Sequence, residues 1–125
     1  MQITHYVGKY ALYRFMVLDH EKRVVNPSTA THIAFTVKQT LGDADIDIKF
    51  ERTVGSGISL TEADGITYID VEIDAGTPYQ TKTLGVGNYV YDLQIVTATG
   101  KNKVLASGLF VLQWPVKRDT PGATP

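Results

Sequence analysis

Hydrophobic and polar positions alternate along this chain in short runs with a period of two. Residues 32–38 (HIAFTVK) put Ile33, Phe35 and Val37 on one face and His32, Ala34 and Thr36 on the other, the pattern of a half-buried strand. Ile46, Ile48 and Phe50 alternate with Asp45, Asp47 and Lys49, and Ile69, Val71 and Ile73 alternate with Asp70, Glu72 and Asp74. A helix does not sustain such regularity, because its side chains return to one face only every 3.6 residues. The acidic rows are expected to face water. Residues 10–18 (YALYRFMVL), 89–97 and 103–114 supply further strands. Asp64-Gly65 predicts a tight hairpin, both residues tolerating positive φ, and Asn26-Pro27-Ser28, Gly55-Ser56-Gly57 and Ala98-Thr99-Gly100 mark other reversals. Helix is signalled once, by Thr77-Pro78 as cap and first helical residue with Gly85 as the stop, which leaves room for one or two turns.

Composition agrees with this pattern. Val, Ile and Thr make up 37 of the 125 residues, and β-branched side chains pack better on a pleated sheet than against a helical turn. The length is that of one domain. The expected division is a single domain over residues 1–116 and a flexible tail over 117–125, because the last stretch (PVKRDTPGATP) carries three prolines and almost nothing to bury. Cysteine is absent, and a formal charge of -1 provides no basic field for nucleic acid or an anionic membrane. The start (MQITHYVGKYALYRF) has no apolar run behind a basic segment, so no signal peptide is expected and the protein should be made and left in a cytoplasm. Its apolar runs fall short of the roughly 20 residues of a membrane helix.

Candidate chemistry is sparse. The four serines, Ser28, Ser56, Ser59 and Ser107, neighbour no recognisable base and there is no Gly-x-Ser-x-Gly, so no catalytic residue is expected. His5, His20 and His32 lack the spacing that converges on a metal. Asp43, Asp45 and Asp47 begin like a calcium loop, but Ile48 and Val54 stand where glycine and a bidentate glutamate are needed. A solvated acidic edge is the expectation there. Gly85-Val86-Gly87 precedes a strand, not a helix, so no phosphate loop or dinucleotide cofactor is expected.

Two strands carry more apolar side chains than one inner face uses. In residues 10–18, Ala11, Tyr13, Phe15 and Val17 share one side while Tyr10, Leu12, Met16 and Leu18 share the other. In residues 103–114, Val104, Phe110 and Leu112 are assigned inward by size, which leaves Leu105, Leu109 and Val111 outward as an assembly face. A partner, or the tail, the 19–31 loop or a bend of the same chain, must cover that surface.

Six to eight short strands with little helix predict an all-β fold, an antiparallel immunoglobulin-like β-sandwich with one short helical turn. Gly87-Asn88-Tyr89-Val90-Tyr91 opens a strand after that turn, where such domains place a corner tyrosine, here Tyr89. Tyr91 then stands where antibody domains have a cysteine. The order of features over residues 31–118 resembles small immunoglobulin-like proteins of tailed bacteriophages, similar to the N-terminal domains of upper baseplate proteins and related tail accessory proteins. The matching pieces are Gly57-Ile58-Ser59-Leu60, Gly65-Ile66 with Ile69-Asp70-Val71-Glu72-Ile73, Gly87-Asn88-Tyr89-Val90-Tyr91-Asp92-Leu93, and Val104-Leu105-Ala106-Ser107-Gly108-Leu109-Phe110-Val111. Where that family has a Gly-Asp pair and a Leu-Thr-Gly turn around the first strand, this chain has Gly8-Lys9 and Val25-Asn26-Pro27. The resemblance implies a non-enzymatic virion structural protein, without cofactor or metal, whose partners are other virion proteins or its own copies. The alternative is a stand-alone glycan or ligand-binding module using Tyr68, Tyr79 and Trp114.

Overall fold

The computed structural model describes residues 2–19, 21–40, 42, 48–75 and 80–115. They form eight strands, β1 (Ile3–Tyr6), β2 (Ala11–Met16), β3 (His32–Lys38), β4 (Phe50–Val54), β5 (Gly57–Ala63), β6 (Ile66–Ile73), β7 (Gly87–Val96) and β8 (Asn102–Gln113), with 3₁₀ turns at Pro27–Thr29 and Gln80–Thr83. The fold is all-β. The strands join in one mixed sheet, in the order β1-β8-β7-β3-β4-β5-β6-β2, nearly closed into a barrel. Among the described residues no helix is long and apolar enough to cross a membrane. The expectation of a purely antiparallel arrangement is corrected at two places: β1 runs parallel to β8 and β4 parallel to β5.

The core is an aromatic cluster around Phe35, which is fully buried and stacks on Tyr91 with 5.3 Å between ring centroids. Phe110 meets Phe35 edge-on at 6.3 Å, and Phe50 meets Phe110 at 5.9 Å and 75°, both the tilted geometry that aromatic quadrupoles favour. Ile69, Val71 and Ile73 of β6 are fully enclosed, as their period-two pattern predicts. Asp64 (φ 53°) and Gly65 (φ 79°) make the β5–β6 hairpin with Ala63 opposite Ile66, the primed turn that right-twisted strands accept.

Two further expectations are corrected, and one strand is added. Asp70 and Asp74 do not face water; they are 2% and 1% exposed, because each has a specific donor that the alternation pattern cannot reveal. Val104, expected inside, is 59% exposed, while Leu105, expected outside, packs against the core. The cause is a β-bulge: Leu93 pairs with Ala106 and Gln94 with Val104, so Leu105 is the extra residue and parity reverses there. Finally, β1 is a strand that four residues, two of them polar, were too few to announce. Asp43, Asp45, Asp47, Thr77-Pro78 and the tail 117–125 lie outside the described residues.

The chain turns tightly between β4 and β5, with Gly55 and Gly57 both at positive φ. Gly57 sits there at φ 101°, and a Cβ on it would stand 2.0 Å from Arg52 Nε. The guanidinium can swing away, but the backbone angle remains forbidden to a side chain. Gly57→Ala is therefore expected to destabilise the fold by about 1–3 kcal/mol, read as a lower urea midpoint; an unchanged midpoint would mean that the corner relaxes without strain.

Candidate functional site

β1 and β2 lie at opposite ends of the sheet's pairing order yet adjoin in sequence, and an enclosed group of ionisable side chains, His5 and Asp74 with Tyr13, links them. His5 is the second inward residue of β1. Its Nε2 lies 2.8 Å from Asp74 Oδ2 and its Nδ1 lies 2.8 Å from the Tyr13 hydroxyl on β2. Asp74 follows β6 at φ 59°, a left-handed conformation that aspartate tolerates better than most residues. From there its carboxylate accepts the Thr81 N–H at 3.0 Å and also the Thr81 hydroxyl. Thr81 Oγ1 in turn accepts the Gly8 N–H at 2.8 Å. One hydrogen-bonded chain thus ties β1, the link after it, β2, the end of β6 and the second 3₁₀ turn.

Protonation states follow from donor counting. An ionised Asp74 only accepts, so His5 Nε2 carries a proton, and in the neutral ring Nδ1 accepts from the Tyr13 hydroxyl. Burial works against the charged form of Asp74, yet the hydrogen bonds from His5 and Thr81 outweigh it and hold the carboxyl below the usual range. Burial, reinforced by the Asp74 charge, pushes Tyr13 up to about 12. Histidine beside aspartate is the arrangement of a general base. Here, however, His5 and Asp74 are enclosed and both ring nitrogens are engaged, so the geometry is that of a clasp. A groove of about 340 Å³, lined by Ile3, Thr4, Leu12, Tyr13 and Phe15, runs along its outer side between β1 and β2.

Asp70 has its own partners. Arg14 on β2 donates from Nε and a terminal nitrogen to its two oxygens at 2.8 and 2.9 Å, and Thr61 donates at 2.7 Å. Fork and hydroxyl together keep the carboxyl below its ordinary range in spite of burial, the arginine bond being the larger cause. The guanidinium also lies 5.0 Å from the Tyr68 ring centroid.

Of the sequence-predicted assembly residues, Leu109 is 46% exposed on the outer face of β8, Val111 is half-buried on the same face, and Leu105 is turned toward the core. Val104 takes the outer place instead. Tyr89 is buried at the start of β7, and its hydroxyl donates to the Gly85 carbonyl at 2.9 Å. Of the aromatics that a glycan platform would use, Trp114 is exposed, Tyr68 lies beneath Arg14, and Tyr79 is outside the described residues. His32 is exposed, and no group of three metal-ligating side chains converges among the described residues. Comparison with protein-family models, with curated proteins and with solved structures finds no match. Sequence reasoning treated His5 as a lone histidine and Asp74 as solvated. The missed signal is that both stand at inward or strand-end positions, where a polar side chain must find a partner.

These groups fix the pH dependence. Asp70 and Asp74, with depressed values, contribute stability above the ordinary carboxylate pKa of about 4 that disappears as pH falls through their lower folded values. Tyr13, with a raised value, contributes stability that is complete below the ordinary tyrosine pKa of about 10 and disappears as pH rises through its folded value. Urea midpoints should therefore hold steady between those limits and fall outside them, with Asp74→Asn removing part of the acid limb and Tyr13→Phe part of the alkaline one. A phenolate absorbance titration in which every tyrosine ionises near its ordinary value would refute the Tyr13 assignment.

Proposed function

We propose that this chain is a non-enzymatic structural protein of a tailed bacteriophage particle, a tail, baseplate or other accessory component, acting through protein–protein contacts of an immunoglobulin-like domain. Two observations support the domain assignment. The Tyr89 hydroxyl bonds the backbone of Gly85, upstream in the chain, as a corner tyrosine does. In addition, β4 and β5 share only two residue pairs, so the sheet nearly parts into β1-β8-β7-β3-β4 and β5-β6-β2, the halves that a sandwich stacks face to face.

The observation that carries the assembly reading is the outer row of β2. Leu12 and Met16 of β2 are 42% and 44% exposed, and Tyr10 and Leu18, which flank the strand, are 56% and 43% exposed; β2 itself pairs on one side only among the described residues. Soluble domains guard such edges with charge, proline or bulges, and here Arg14 is the single charge in the row, already turned onto Asp70. A second, smaller apolar surface is formed by Val104, Leu109 and Val111 on β8. Partners of this kind are other virion proteins or further copies of the chain, and the protein would reside in the virion.

Each side chain buried by a partner is worth roughly 1.5–3 kcal/mol. Leu12→Lys combined with Met16→Lys should therefore weaken association by about 100-fold or more, measured by light scattering of the free protein and by co-sedimentation with particles. The melting temperature should stay close to that of the parent, since both side chains already face outward. Leu109→Lys tests the β8 surface in the same assays. Association unchanged in both variants would overturn the assembly reading.

A further inference from the structure

We draw no further inference here: the strongest candidate, the groove of about 340 Å³ between β1 and the edge of β2 that pairs with no strand among the described residues, carries nothing, because nothing in the structure shows what covers it.

Discussion

The contact between His5 and Asp74 is the constraint on which the closure of this fold depends. β1 pairs with β8 and β2 with β6, so the chain must carry its first two strands to opposite ends of the sheet across a short link. Backbone pairing does not join those ends. Side chains do: His5 on β1 bonds Tyr13 on β2 and Asp74 beyond β6. Both His5 and Asp74 are excluded from water, and removing either would strand the other, which costs more than the bond itself contributes. The same carboxylate fixes Thr81 and, through it, the Gly8 amide. The second 3₁₀ turn is thereby anchored before the chain reaches Tyr89 and enters β7.

Apolar packing and polar clasp divide the labour. The cluster of Phe35, Tyr91, Phe110 and Phe50 supplies bulk burial, which is non-directional and tolerates many arrangements of strands. The clasp is directional. His5 also stacks on Phe110, 6.0 Å between centroids, so the polar group is seated against the apolar cluster and its geometry is set by both. A polar group placed in this way selects one strand arrangement among those the apolar residues alone would permit.

The strands with strict alternation were legible: β3 and β6 follow Ile33, Phe35 and Val37 and Ile69, Val71 and Ile73, and Asp64-Gly65 turns as its residue types require. What escaped had non-local causes. Asp70 and Asp74 read as a wet face because alternation reports side, not depth, and depth here comes from Arg14 and His5, 56 and 69 residues away. The bulge at Leu105 shifts parity without any marker in the local run VLASGLF, although Ala106 and Gly108 are the small residues that such a slip brings inward. The two parallel pairings depend on where the chain re-enters the sheet, which no window of sequence encodes. The outward placement of Leu109 and Val111 was legible from surplus hydrophobicity on both faces of the strand, whereas the inward turn of Leu105 needed the register with β7.

A double-mutant cycle on the clasp tests this account most directly. His5→Gln, Asp74→Asn and the pair together are compared with the parent by urea unfolding at neutral pH. If the contact closes the sheet, each single variant loses roughly 2 kcal/mol or more, and the double variant loses less than the sum by about 1–3 kcal/mol. Losses that add within about 0.5 kcal/mol would show that His5 and Asp74 act independently, and would contradict the claim that their contact holds the two ends of the sheet together.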